Sequence, residues 1–282
     1  MIKSFLLYGL KIVPGKDMIT EKEKKELEKF ILSREQPDGG FSFSQTTPPT
    51  LEDTYFALRL LEELQEYSVS SQTVSYITQL KQKEFHQPKH LYQLATIYRI
   101  THLVDSENSL RDKIILNHEI LPNTLSDLYF IVLTKELLHM QVTLTRNEQD
   151  ILSSAQLKPR KSMEECKQIV ILMIKLHNSF QQQEYVHIIQ TSQNFDGGFG
   201  IVPHSTSFLE STYQALRGLK ELHAFPVDIH ECERFVNSCM TNIGGFGRQI
   251  TTVPSIEYSY YAFLSLKIID EMKKNYIKEH NY

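Results

Sequence analysis

Apolar residues recur at i, i+3, i+4 and i+7 between Gly and Pro punctuation along most of the chain, the period of an amphipathic helix. Leu51, Thr54, Tyr55 and Leu58 fall on one helix face, and so do Leu209, Thr212, Tyr213 and Leu216. Val, Ile and Tyr sit inside this spacing and do not alternate, so no strand hairpin is expected. Caps and breakers predict twelve core helices near residues 20–33, 51–66, 70–83, 88–103, 107–117, 123–140, 146–156, 162–180, 182–193, 207–223, 227–241 and 254–272.

A block recurs three times within this pattern. Gln36-Pro37-Asp38-Gly39-Gly40-Phe41 is followed by Leu51-Glu52-Asp53-Thr54-Tyr55. Gln193-Asn194-Phe195-Asp196-Gly197-Gly198-Phe199 is followed by Leu209-Glu210-Ser211-Thr212-Tyr213, and Gly244-Gly245-Phe246 by Ile256-Glu257-Tyr258-Ser259-Tyr260. The step from Phe to Glu is 11 residues each time. Phased repetition of this kind means a repeat architecture in which each helical hairpin buries its face against its neighbours. Six hairpins predict an all-α, (α/α)6 closed ring whose inner helices start near residues 51, 88, 123, 162, 207 and 254. Leu125-Ser126-Asp127-Leu128-Tyr129-Phe130 keeps the inner-helix signature without the Gly-Gly-Phe turn. The glycines permit positive φ after an outer helix, and each Phe is expected to plug between hairpins.

The copies span the chain, so its 282 residues form one domain. Residues 1–19 form an N-terminal extension, 20–272 the helical repeats and 273–282 a C-terminal tail. The apolar start from Met1 to Val13 is broken by Lys11 and lacks a small-residue cleavage site, which predicts a terminal helix and not a signal peptide. No apolar run is long enough to span a bilayer. A net charge of -4 carries no basic footprint for nucleic acid. Cys166, Cys232 and Cys239 show neither metal spacing nor a disulfide framework, which predicts a reducing, cytoplasmic setting.

The turn and helix motifs resemble the repeats of the superfamily that holds protein prenyltransferase β-subunits and squalene cyclases. The segment Val253-Pro254-Ser255-Ile256-Glu257-Tyr258-Ser259-Tyr260-Tyr261 is similar to an inner helix of a geranylgeranyl transferase β-subunit. The resemblance implies an α/α toroid whose inner helices line an apolar cavity for isoprenoid chains. It also implies two chemistries to look for. Prenyltransferases hold zinc with an Asp-x-Cys at one inner-helix start and a His at the next. Here those places fall on Phe208 and Glu210, or Glu210 and Thr212, and on Tyr258 or Ser259. No metal site is therefore expected, and zinc least of all. The cluster Asp228-Ile229-His230-Glu231-Cys232 reads as a solvated helix start. In cyclases an Asp-x-Asp-Asp-Thr motif protonates the substrate. Thr50-Leu51-Glu52-Asp53-Thr54 resembles it, which makes Glu52 and Asp53 the candidate catalytic acids. Such an acid must be desolvated or crowded by a like charge to stay protonated. Their recurrence as Glu210 and Glu257 also fits plain helix-dipole acids in first turns.

Tyr55, Tyr129, Glu210, Tyr213, Glu257, Tyr258 and Tyr260 are the candidate substrate-binding residues, with Tyr261 beside them. Their rings can line a cavity and stabilise cations or simply pack a core. Glu52, Asp53, Asp127, Glu164, Glu165, Glu210 and Glu257 at inner-helix starts, against Lys89 and His90, predict an acidic mouth, with His204 and Arg248 as the basic candidates in the turn loops. Diphosphate would enter such a mouth only with Mg²⁺ as a bridge; no cofactor is otherwise implied. The first reading is a zinc-independent isoprenoid-handling enzyme, prenyltransferase-like or class II terpene-cyclase-like. The second is a non-catalytic toroid that binds a lipid or other apolar small molecule, or a partner protein. A polysaccharide-active barrel with paired carboxylates is disfavoured by the Gly-Gly-Phe repeat.

Overall fold

The computed structural model describes residues 19–65, 68–80, 85–116 and 121–280. The expected terminal helix over Met1–Val13 lies outside them. Among the described residues twelve helices alternate between an outer and an inner ring. The outer ring holds α1 (Glu21–Leu32), α3 (Ser71–Leu80), α5 (Val104–Leu116), α7 (Arg146–Leu157), α9 (Gln182–Gln190) and α11 (Ile229–Ser238). The inner ring holds α2 (Leu51–Leu64), α4 (Pro88–Ile100), α6 (Leu125–Leu137), α8 (Met163–Lys175), α10 (Leu209–Glu221) and α12 (Ile256–His280). Each inner helix packs on the next, and α12 packs back on α2, so the ring closes. The chain is an all-α toroid, as the pattern predicts.

Two expectations need correction. Residues 273–280, assigned above to a tail, continue α12. Met272 and Lys273 pack against the outer ring there, with Lys273 paired to Glu233 of α11. The turns also carry a minimal ladder, with β1 (Phe246–Gly247) antiparallel to β2 (Pro254–Ser255). Two residues per strand leave no alternation for the sequence to display.

The crossing from outer to inner ring follows one design in all three Gly-Gly-Phe copies. Gly39 and Gly197 have φ of 89° and 86°, and a Cβ on either would lie 2.1 Å from the carbonyl oxygen of Gln72 or Glu231. Each turn is therefore laid directly on the next outer helix, α3 or α11. The third turn lies on α1, where Gly244 faces Glu26 and Gly245 faces the ring of Phe30; this contact closes the outer ring. The Phe that follows is driven inward, with Phe41 and Phe199 0% exposed and Phe246 4%.

That plunge buries a backbone N–H, and a hydroxyl answers each one. Phe41 N–H donates to Thr54 Oγ1 at 3.0 Å, Phe199 N–H to Thr212 Oγ1 at 3.0 Å, and Phe246 N–H to Ser259 Oγ at 2.9 Å. The acceptor is the fourth residue of the inner helix in every case. The helices that follow no such turn carry Leu91, Leu128 and Cys166 at that position. Hydroxyls thus occur where there is a turn N–H to satisfy and apolar groups where there is none.

Four of the inner helices also end alike. His102, His139, His177 and His223 take left-handed φ between 50° and 54° just past α4, α6, α8 and α10. Each is followed by a six-residue backbone hydrogen bond, for example Leu103 N–H to Tyr98 O at 2.9 Å and Ala224 N–H to Leu219 O at 2.9 Å. This is a Schellman stop in which His replaces the usual Gly, a residue that tolerates the left-handed region better than most.

Thr212→Val keeps shape and removes the acceptor, so the Phe199 N–H is stranded in the core. The substitution is expected to cost about 1–3 kcal/mol, read by urea denaturation. A loss below about 0.5 kcal/mol would contradict the lock. Gly197→Ala combines positive φ with a backbone clash and should lose more than Thr212→Val in the same titration.

Candidate functional site

Counted from their starts, the inner helices stack their side chains in layers. The second residues are Glu52, Lys89, Ser126, Glu164, Glu210 and Glu257. The fifth residues are Tyr55, Tyr92, Tyr129, Lys167, Tyr213 and Tyr260. Ion pairs join neighbouring helices at matching heights, Lys89 with Glu52 near the starts and Arg99 with Glu62 near the ends. The six helices therefore run parallel, and their starts and ends form a near rim and a far rim.

The central lumen holds a cavity of about 280 Å³ to which all six inner helices contribute. Tyr92, Tyr129, Tyr213 and Tyr260 line its closed end. Leu133, Ile171, Leu264 and Ile268 line its wall, together with Arg59 and Arg217. Its mouth is made by Lys175, Lys220, Lys267 and Glu271, whose side chains are 32% to 49% exposed. The cavity thus opens at the far rim. The tyrosine layer shuts it from the near rim, with ring centroids of Tyr55 and Tyr260 6.4 Å apart and those of Tyr213 and Tyr260 6.2 Å. Burial pushes the hydroxyls of Tyr55 and Tyr213 well above the usual tyrosine range. They stay protonated and act as hydrogen-bond donors or neutral walls.

The expected acidic mouth is not found at this cavity. Its opening carries lysines, and the carboxylates of the near rim are engaged in caps and pairs. Glu52 is half exposed and bonds Lys89. Asp53 exchanges hydrogen bonds with Thr50 as the partner of a helix cap. Burial raises the Asp53 pKa, and the Thr50 hydroxyl opposes that shift. Asp127 and Glu165 serve the same capping role at α6 and α8. Glu210 pairs with Arg248 through one oxygen and keeps the other buried without a partner. Glu257 accepts from the Tyr261 hydroxyl, and burial, reinforced by the charge of Glu52, raises its pKa. Tyr258 stands beside Glu210 and Arg248. Of the residues singled out above, Tyr129, Tyr213 and Tyr260 line the cavity and Tyr55 packs beneath them, whereas Glu52, Asp53, Glu210, Glu257 and Tyr258 belong to the near rim.

The far rim is a hoop of ion pairs. Glu63 of α2 holds Lys267 of α12 across the ring closure, Glu271 of α12 holds Lys220 of α10, and Glu136 of α6 holds Lys175 of α8. Exposed pairs are each worth about 0–1 kcal/mol, so the hoop fixes register more than it adds stability. Sequence reasoning did not find this end of the lumen, nor Lys167. The signal for Lys167 was present: it holds the place that Tyr takes in the other five inner helices.

A zinc centre of the type implied by the resemblance does not fit these residues. Thr212 and Ser259, which fall at the places of the Cys and His in one of the two registers, already accept the turn N–H groups and donate to Phe208 O and Ser255 O. Glu210 is committed to Arg248. Among the described residues no group of three His, Cys, Asp or Glu side chains is placed to hold a metal. All three cysteines are buried, and burial pushes the thiols of Cys166 and Cys239 up to about 12. They are inert packing groups at neutral pH. No helix among the described residues is long and apolar enough to cross a membrane.

Among curated proteins no relative matches the chain. Among solved structures it is similar to Candida albicans protein geranylgeranyltransferase-I complexed with GGPP, at 15% identity and a TM-score of 0.41, over 87% of this chain and 90% of that one. A likeness that distant carries no functional weight. The family described as Prenyltransferase alpha-alpha toroid domain matches residues 1–110, 160–230 and 207–281. With most of its length matched, and with the closed ring of parallel inner helices in place, the chain belongs to the prenyltransferase α-α toroid domain family.

Proposed function

We propose that this protein binds an isoprenoid in the lumen of its toroid, without a zinc centre and without the acid chemistry of a cyclase. The observation that carries the reading is the tyrosine-floored cavity built by all six inner helices. Its floor offers aromatic faces to an unsaturated chain, and its wall at Leu133, Ile171, Leu264 and Ile268 offers aliphatic surface. Binding pockets combine such walls with a few placed polar groups. The reading excludes Glu52 and Asp53 from the chemistry, because one is paired at the near rim and the other serves a cap. A non-catalytic toroid is favoured over an enzyme by the same placement: the near-rim carboxylates of raised pKa, Asp53 and Glu257, are separated from the cavity by the tyrosine layer.

Calorimetric titration with farnesol, kept below its aggregation limit, is expected to give one site per chain. Tyr213→Ala should weaken that site about tenfold, or about 1.4 kcal/mol, while Glu52→Gln and Asp53→Asn leave it unchanged within about twofold. Absence of binding for every prenyl alcohol from ten to twenty carbons would sink the reading. In a separate measurement, the chain dialysed against micromolar zinc should retain far less than one equivalent by elemental analysis. Stoichiometric zinc that survives dialysis would contradict the donor argument.

A further inference from the structure

The near rim wears its apolar residues unevenly. Nine large apolar side chains stand exposed among the described residues, and six of them sit on the three Gly-Gly-Phe turns: Phe43, Phe195, Ile201, Ile243, Ile250 and Val253. Those turns lead into α2, α10 and α12. In the ring α12 packs on both α10 and α2, so the three turns stand side by side. Exposed apolar residues are ordinary when scattered singly, and informative when gathered. Here they are gathered on one half of one end of the toroid.

The same three helices start with carboxylates that are short of counter-charge. Glu257 accepts from the Tyr261 hydroxyl and pairs with no cation among the described residues. Glu210 gives one oxygen to Arg248 and keeps the other buried without a partner. Glu52 is held by Lys89, and Asp53 by its cap. Four carboxylates thus stand against two cations, Lys89 and Arg248. A partner that fits this face brings apolar side chains and positive charge together. The far rim repels such a partner, since the cavity that opens there is lined by five cations and two acids.

The chain carries a segment of that chemistry in residues 1–18, which lie outside the described residues. Phe5, Leu6, Leu7, Leu10, Ile12 and Val13 are interspersed there with Lys3, Lys11 and Lys16, against one acid, Asp17. The segment leads into α1, whose cap is Thr20. Helix α1 packs on α2, and the third turn lies on its Glu26 and Phe30, so the segment is tethered beside the half of the rim in question. It joins α1 at the far-rim end, and the 12 residues of α1 rise about 18 Å to the near rim. Pro14 to Met18, extended, span about 16 Å, and a helix over Met1 to Val13 is about 20 Å long. We propose that residues 1–18 dock on the half of the near rim built by α10, α12 and α2, with their apolar side chains on the exposed turn residues and their lysines opposite Glu210 and Glu257. Tethering presents the segment at an effective concentration of roughly millimolar, so weak contacts suffice. A protein or lipid surface that uses the same turns must then displace it. The inference stands apart from the reading of the lumen, which opens at the other rim.

The test is zero-length carbodiimide cross-linking of the full chain, read by peptide mass spectrometry. Lys89 with Glu52 at the near rim and Lys267 with Glu63 at the far rim serve as internal controls. Links from Lys3, Lys11 or Lys16 to Glu52, Glu210 or Glu257 are expected, and within single chains when light and heavy isotope-labelled protein are mixed. The double variant Lys3→Glu, Lys11→Glu leaves every described residue in place. It should remove those links and speed amide exchange at residues 249–253 about tenfold. Ile250→Ser with Val253→Ser, at exposed positions of the turn, is a second variant expected to remove the links as well. Links to Glu63 or Glu271 in their place would put the segment at the lumen mouth and overturn the proposal. Links only between light and heavy chains would assign the face to a second copy, and turn protection seen only with anionic phospholipid vesicles would assign it to a lipid surface; either overturns the proposal. So would an absence of links while both controls react.

Discussion

A backbone N–H is buried at each Gly-Gly-Phe crossing from the outer ring to the inner, and a hydroxyl 13 residues further on accepts from it. The architecture depends on that exchange. The Phe must enter the core to seal neighbouring hairpins, and its N–H must go with it. A buried donor left unmade costs more than a made hydrogen bond returns, so the position of the hydroxyl fixes how far the inner helix can slide past the turn. Fixing that height for three helices sets the layers for the ring, because inner helices touch side by side and the last returns to the first.

The layers explain why the two ends of the lumen differ. Second residues gather carboxylates and their partners at the near rim, where helix starts favour acids. Fifth residues gather tyrosines, which shut the lumen just below. Lysines and an arginine collect at the far rim, where helix ends favour cations, and pair from helix to helix into a hoop. In one of the two registers of the resemblance, the same hydroxyls that lock the turns occupy the places of a zinc-binding Cys and His. Structural use and metal ligation compete for one position, and here the structural use holds Thr212 and Ser259.

Much of the fold was legible in the sequence because its signals are local. The step of 11 residues from Phe to Glu and the Gly pairs mark the crossings, and the helical period does the rest. Other repeated signals were equally local and passed unread: Leu138-His139, Leu176-His177 and Leu222-His223 mark helix stops, and Thr or Ser at the fourth helical residue marks the lock. The candidate site was less legible. Tyr129, Tyr213 and Tyr260 were found by their place in the motif, whereas α8 keeps neither the turn nor the Leu-x-x-x-Tyr signature, and Lys167 is recognised only once the six helix starts are aligned. Which rim opens depends on how side chains of six distant segments share one lumen. Glu52 and Asp53 stood out because adjacent acids look like chemistry, and only the packing shows Lys89 and Thr50 consuming them.

The most direct test of a zinc-free, ligand-binding lumen is native mass spectrometry of the chain with farnesyl diphosphate, with metal content measured on the same sample. The account predicts a complex of one ligand per chain in which no zinc is carried and none is needed. A complex that forms only when one zinc is bound per chain would contradict it, as would a chain that takes up no ligand at all.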